Sequence, residues 1–288
     1  MTTEQYQFKQ YDRVVYSDEI DINFSDGGVE VQPTVDGTML CLHKVGDEVV
    51  VRTKNSDAYK SYWVKKFIFG NLFDQILEKM GKKKEDLAEE KRVFYFLLCH
   101  PRVRHVTRFQ EAMLYHMSTF NTETNEWDSF RLEGFETINN IKVESREVFD
   151  EMIRNSKTGY LVGDNFVMSG FYAKAFELRG GAPDIEYRVF QMVKNNNIGE
   201  FLEYFPDLER MANYYKRKFT NFCRYVHRTY VNIKIKNQVE GYLPGKGTRQ
   251  LLNTIYEEHG VDKYVSYKMV QHHIRNYSDG YIYKLLLV

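Results

Sequence analysis

The alternation of apolar and polar positions changes character near residue 183. Upstream, short apolar runs and period-two segments between turn residues predict strands. Downstream, apolar residues recur every three or four positions and predict helices. The clearest strand pair is a hairpin. The apolar run 39–42 and the alternating segment 48–52 flank Val45-Gly46-Asp47, and Val49, Val50 and Val51 supply β-branched strand residues. Further strands are expected at 12–16, ahead of a turn at Asp26-Gly27-Gly28, and at 93–99, a continuous apolar run of the kind a buried strand shows. After His100-Pro101, the segment 103–109 alternates again and predicts another strand. Two more are expected within 114–130, around the turn-rich 121–125, and a last one at 158–162. A helix is expected over 57–80, where Trp63, Phe67, Leu72 and Ile76 fall three to five residues apart, with Gly81 as its stop and 82–86 as a solvated turn. A shorter helix opens on the Ser145 cap and carries Val148, Met152 and Ile153.

From 183 onward, Ile185, Val189, Met192 and Val193 form a helical stripe that ends at Asn195-Asn196-Asn197. Residues 201–206 read as a short helix stopped by Pro206. Asp207 is expected to cap the next helix, which sets Leu208, Met211, Tyr215, Phe219, Phe222 and Val226 on one face. Another helix opens near Thr248, and the apolar tail 281–288 is expected to dock. The pattern predicts an α+β chain, with an antiparallel-sheet domain over 1–182 and a small all-helical domain over 183–288.

Composition narrows the function classes. A hydrophobic fraction of 43% in 288 residues excludes global disorder and allows two cored domains. Net charge is zero, which argues against a protein held mainly by a strongly anionic partner while leaving room for local basic patches. Cys41, Cys99 and Cys223 have neither zinc spacing nor a disulfide framework, so a reduced, cytoplasmic setting is expected and no metal site. The chain opens on no secretory leader and has no apolar run of membrane-spanning length, so no membrane partner is expected.

Candidate chemistry sits around the hairpin. Thr34-Val35-Asp36-Gly37-Thr38 precedes its first strand, and Arg52-Thr53-Lys54-Asn55-Ser56 follows its second. Three more segments belong with these: FYFLLCHPRVRHVTRF at 94–109, Thr158-Gly159-Tyr160-Leu161-Val162, and Phe171-Tyr172-Ala173-Lys174-Ala175-Phe176. Together they resemble the ATP-dependent RNA ligases of the bacteriophage type, within the covalent nucleotidyltransferase superfamily. The resemblance covers roughly 30–285 and is best in the first 180 residues. It implies a nucleotidyltransferase fold followed by a helical domain in which a segment like 200–206 recurs. It also implies a Lys-x-Asp-Gly-Ser/Thr motif whose lysine attacks the α-phosphate of ATP and carries the AMP. Here Thr34 holds the lysine position. Leu97 and Val103 stand where the family has a sugar-contacting glutamate and an asparagine, and Thr158 replaces an acidic strand residue. Lys174 is the single lysine at the Lys-x-Lys segment. The upstream Arg-Gly motif of the family has no counterpart in 1–30, which implies shortening at that end.

These replacements decide the functional expectation. A nucleotidyl transferase needs an activated amine, and threonine, flanked by Pro33 and Val35, has neither a suitable pKa nor a base. Losing a covalent nucleophile costs on the order of a millionfold in turnover. The carboxylates that would hold magnesium are also missing. A catalytically degenerate RNA-ligase-like protein is expected, phage- or virus-encoded, acting in host cytoplasm or virion as a binding or structural module. It would have no catalytic residue and no cofactor, with Thr34, Asp36, Gly37, Leu97, Thr158 and Lys174 as vestigial positions. ATP and magnesium enter only under the alternative, an active ligase using a displaced lysine such as Lys44 or Lys54. A second alternative is an RNA-binding protein. Its phosphate contacts would come from Lys54, Arg102, Arg104 and Arg108, the arginines sharing one strand face, with Lys216-Arg217-Lys218 adding to them. With zero net charge and no long basic run, a protein partner is favoured over RNA, docking on the tyrosine-rich helical domain. His100 and His105 fall on opposite strand faces and His272 and His273 on different helix faces, so all four read as structural. The segment 241–248, GYLPGKGT, fails the spacing of a phosphate loop and reads as a basic turn.

Overall fold

In the computed structural model of the chain, residues 13–24, 27–63, 66–163, 165–181, 184–238, 244–259 and 265–287 are described. The expectations that touch Asp12, Asp26, Pro183, the stretch 241–243 and Val288 lie outside the described residues. The chain divides into two compact units, 1–183 and 184–288.

The first unit is mixed α and β. Its early elements are β1 (Arg13–Val15), β2 (Val29–Pro33), β3 (Thr38–Val45), β4 (Glu48–Arg52), the short β5 (Tyr62–Trp63) and β6 (Phe67–Ile68), α1 (Phe69–Lys79) and the single turn α2 (Lys84–Leu87). Then follow β7 (Arg92–Cys99), β8 (Met113–Asn121), β9 (Glu126–Asp128), β10 (Ile141–Val143), α3 (Arg146–Asn155), β11 (Gly159–Val162), β12 (Asn165–Met168) and α4 (Gly170–Arg179). One sheet, in the order β4-β3-β7-β8-β9, is antiparallel throughout. The other, β1-β12-β11-β2-β10, is antiparallel except for the parallel β1–β12 pair.

The hairpin forms where the pattern predicts it. Val45 pairs with Glu48, which leaves Gly46 and Asp47 as a two-residue loop with Gly46 at φ 59°. The run at β7 is continuously apolar because both its faces are covered. Phe94, Phe96 and Leu98 join Leu72, Phe73, Ile76 and Leu77 of α1 in one core, with Phe73 edge-on to Phe96 at 5.3 Å. Val93 and Tyr95 join Cys41 on the opposite face. Each fully buried phenylalanine contributes about 2–3 kcal/mol to this core. The second sheet buries Val31, Val143, Val162 and Val167 under Phe149 and Ile153 of α3, whose Ser145 cap accepts from the Val148 amide.

Two expectations fail for one reason. The helix expected over 57–80 is confined to α1. Ahead of it, Ala58 N–H donates to Val51 O at 3.0 Å, Gly70 N–H to Ala58 O at 2.9 Å, and the Asp57 carboxylate accepts the Tyr59 amide at 2.8 Å. Those backbone groups are already satisfied, so a longer helix has nothing to gain. The segment expected as a strand at 103–109 is an irregular loop, so Arg102, Arg104 and Arg108 do not share a strand face. Its backbone is bound by side chains from elsewhere in the unit.

On β8, His116 is fully buried. Leu132 N–H donates to its Nδ1 at 3.2 Å, which leaves the proton on Nε2, 3.1 Å from Thr119 Oγ1; that hydroxyl donates to Phe130 O at 3.0 Å. Burial pushes the imidazole pKa down to about 4.

The second unit is helical throughout its regular elements among the described residues: α5 (Ile185–Lys194), α6 (Ile198–Tyr204), α7 (Glu209–Tyr230), α8 (Lys246–His259), α9 (Tyr267–Asn276) and α10 (Asp279–Leu287). Asp184 caps α5, accepting from the Glu186 and Tyr187 amides. Asp207 lies within the 3-10 turn Pro206–Leu208 rather than at the cap of α7, which Leu208 occupies. The expected stripe is buried on α7, with Tyr215, Phe219, Phe222 and Val226 packed inward. Lys194 is buried at the end of α5. Its Nζ pairs with Asp279 at 2.7 Å and donates to Arg275 O, tying α10 and α9 to α5. None of the described helices is long and apolar enough to cross a membrane.

Candidate functional site

The stretch from Pro33 to Thr38, where β2 hands over to β3, is the point at which the first unit's motif segments meet. Asp36 is buried, and its carboxylate is fully engaged. Val106 N–H and Thr107 N–H each donate to Oδ2 at 2.7 Å, and Tyr172 Oη–H donates to Oδ1 at 3.0 Å. Arg179, also buried, donates from Nε to His105 O at 3.0 Å and from Nη2 to Arg104 O at 3.3 Å. A carboxylate and a guanidinium thus bind the 104–107 backbone in place of a strand neighbour, which is why that segment forms no strand.

The other positions that the resemblance singles out are placed as follows. Thr158 Oγ1 donates to Thr34 O at 2.7 Å, and Thr34 N–H donates to Gly159 O at 3.0 Å. Thr34 Oγ1 is buried and has no hydrogen-bond partner among the described residues, so no base activates it. Gly37 is there for close approach. A Cβ at that position would stand 2.9 Å from both Leu97 Cγ and Leu98 O. The space on that side is filled. Lys174 sits on α4, two residues from Tyr172, with its Nζ 3.3 Å from Glu177.

Open volume lies next to this turn, in a cleft of about 560 Å³. Its walls come from Gly37 to Met39, Thr53 to Ser56, Lys60 to Tyr62, Phe69 and His105. The hydroxyls of Thr53, Ser56 and Ser61 form one cluster. Thr53 Oγ1 lies 3.3 Å from Ser56 Oγ and 3.5 Å from Ser61 Oγ, the two serine hydroxyls share a short hydrogen bond, and Ser61 donates to Asp57 O at 2.9 Å. His105 Nε2 shares a hydrogen bond with Thr38 Oγ1 at 3.1 Å, and its ring stands edge-on to Trp63 at 4.6 Å. Burial lowers its pKa, the nearby Asp36 opposes that and Arg179 adds to it, so the imidazole is neutral at pH 7. The lining holds two lysines and no carboxylate. It suits a small anionic or hydrogen-bonding group.

Of the four basic candidates, Lys54 lines this cleft. Arg102 is exposed with its guanidinium 5.5 Å from the Phe67 ring, Arg104 is half-buried with Nε donating to Val106 O, and Arg108 is exposed. They face separate surroundings. His100 is buried and accepts the Arg102 amide at Nδ1, 3.0 Å away. His105, expected to be structural, is hydrogen-bonded and ring-packed as such a residue would be, and it also borders the cleft. Lys44 pairs with Glu90 at 3.6 Å, and Lys246 of the 241–248 segment opens α8. His273 pairs with Glu258, while His272 bonds Asn276 at 2.9 Å. Burial pushes the three free thiols up to about 12. Among the described residues, no three His, Cys, Asp or Glu side chains gather as a metal site. No protein-family model matches the chain, and no curated protein gives a significant match.

Proposed function

We propose that the first unit is a nucleotidyltransferase-like module of the RNA-ligase type that has lost ligation and is kept as a binding module. One observation carries this reading. Three segments far apart in sequence meet around 34–37, where Thr158 donates to Thr34, Leu97 packs on Gly37 and Tyr172 donates to Asp36. The resemblance assigns these same segments to the surroundings of the transferred nucleotide. The same contacts argue against the chemistry. The attacking amine is replaced by a hydroxyl without a base, and the sugar-contacting carboxylate by a buried leucine.

A second reading, an active ligase with a displaced nucleophile, is favoured by Lys54, whose side chain borders the open cleft. Incubation with ATP and magnesium, followed by intact-mass measurement, separates the two. The expected result is an unmodified chain, with calorimetric ATP affinity no tighter than about millimolar, roughly 4 kcal/mol. A mass gain of one AMP that disappears in Lys54→Ala would replace the first reading with the second.

A further inference from the structure

The zero net charge of the chain conceals a segregation. Residues 184–288 hold sixteen Lys and Arg against eleven Asp and Glu, net +5, and residues 1–183 hold the complementary −5. The excess in the second unit is concentrated on α7, which carries six Lys and Arg and one acid, Glu209. Arg210, Lys216, Arg217, Arg224 and Arg228 are all exposed. Arg210, Arg217, Arg224 and Arg228, together with Tyr214, Asn221 and Tyr225, recur at steps of three and four. They therefore lie in one stripe on the side of the helix opposite its buried face. From Arg210 to Arg228 that stripe runs about 27 Å at 1.5 Å per residue.

Two features distinguish this face from a merely solvated one. Tyr214 and Tyr225 are each 46% exposed, the two large exposed rings on this helix, and both lie within the arginine stripe. The far end of the stripe is concave: Asn221, Arg224, Tyr225 and Arg228 line, with His227 and Tyr267, a groove of about 470 Å³. Its wall is held in place, since His227 Nε2 bonds Val265 O at 3.1 Å and its ring meets Tyr267 edge-on at 6.1 Å.

We infer that this face of α7 binds single-stranded nucleic acid, with the arginines on phosphates and Tyr214 and Tyr225 stacking on bases. Guanidinium groups match phosphate oxygens in pairs, and ring faces set between them suit unpaired bases; Tyr214 already has Lys218 Nζ 5.2 Å from its ring centre, so Tyr225 is the principal stacking ring. An acidic peptide would use the charges and leave the tyrosines idle; a duplex would hide its base faces from them. The inference does not depend on the resemblance to RNA ligases, because α7 lies outside the segments that carry the proposed function.

The test uses the full chain and fluorescence anisotropy with labelled single-stranded RNA, single-stranded DNA of the same sequence, and the duplex. Salt is varied from about 50 to 200 mM. Four arginine–phosphate contacts predict a log–log salt slope of about −3 for a single strand. The triple variant Arg217→Gln, Arg224→Gln, Arg228→Gln should reduce that slope to about −1. Tyr225→Ala should weaken binding roughly 5- to 150-fold with the slope unchanged, a separation that unfolding could not mimic. All four side chains are exposed, and an unchanged melting curve for each variant confirms the fold. Binding of either single strand with this behaviour supports the inference, and the RNA and DNA arms identify which strand is preferred. Absent binding at the lower salt, a preference for the duplex, an unaltered slope in the triple variant, or displacement by polyglutamate as effective as by unlabelled strand would each overturn it.

Discussion

Asp36 has a structural task that its own buried hydrogen bonds define. In the resemblance it follows the nucleophile by two positions. In this chain its carboxylate takes two loop amides and a tyrosine hydroxyl, all within a buried setting. Removing it strands those donors, at about 1–3 kcal/mol for each one left unsatisfied. Asp36→Ala should therefore lower stability by roughly 3 kcal/mol or more in urea titration. Thr34→Val provides the contrast. The Thr34 hydroxyl is buried without a partner, so replacing it with a methyl should be neutral to within about 1 kcal/mol, or stabilising. Equal losses in the two variants would show that Asp36 carries no special structural weight.

At the scale of elements, what the sequence discloses depends on where each backbone group finds its partner. The hairpin, the buried strand at β7, the Ser145 helix and the inward stripe of α7 are satisfied by near neighbours or by a simple period, and they are readable as such. The 103–109 segment alternates like a strand, yet its amides and carbonyls belong to Asp36 and Arg179, some seventy residues away on either side. No local pattern reports that. The same blindness hid the cleft, because His105 reaches it only once the segment is bent out of strand geometry. It also hid the extent of the α7 face: the run Lys216-Arg217-Lys218 is visible, but the stripe residues Arg210, Arg217, Arg224 and Arg228 lie one or two helical turns apart. Helix docking in the second unit has a comparable long-range tie in Lys194–Asp279, with Lys194 only 2% exposed and Asp279 25%. Asp279→Ala leaves that ammonium buried and unpaired, at a cost of about 3 kcal/mol. Amide hydrogen exchange in α10 should then accelerate by roughly a hundredfold, while Asp279→Leu combined with Lys194→Met should restore most of the protection. An α10 that exchanges at the parent rate in Asp279→Ala would rule out this role for the pair.

For the molecule as a whole, acidity is the main liability of the first unit. Burial lowers the pKa of His43, His100, His105 and His116, the last to about 4. Each is neutral when folded and takes up a proton more readily when unfolded. Their contribution is intact above the ordinary histidine pKa and is lost as pH falls through the folded values. Stability should hold from neutral pH down to about 6.5, then decline toward pH 4, by up to about 1.4 kcal/mol per pH unit for each histidine titrating. Urea midpoints across that range measure it. His116→Gln, which can still accept from Leu132 and donate to Thr119, should show a shallower decline; an unchanged one would absolve His116.

The segregation of charge also bears on how copies of the chain treat one another. A free molecule is neutral as a whole but two-signed, so neighbours attract wherever units of opposite sign meet, within the roughly 8 Å over which physiological salt lets charges sense each other. A strand lying along α7 covers the positive excess and leaves −5 in the other unit facing solvent. Loaded molecules then repel, so a single polyanion should space its occupants along its length rather than crowd them.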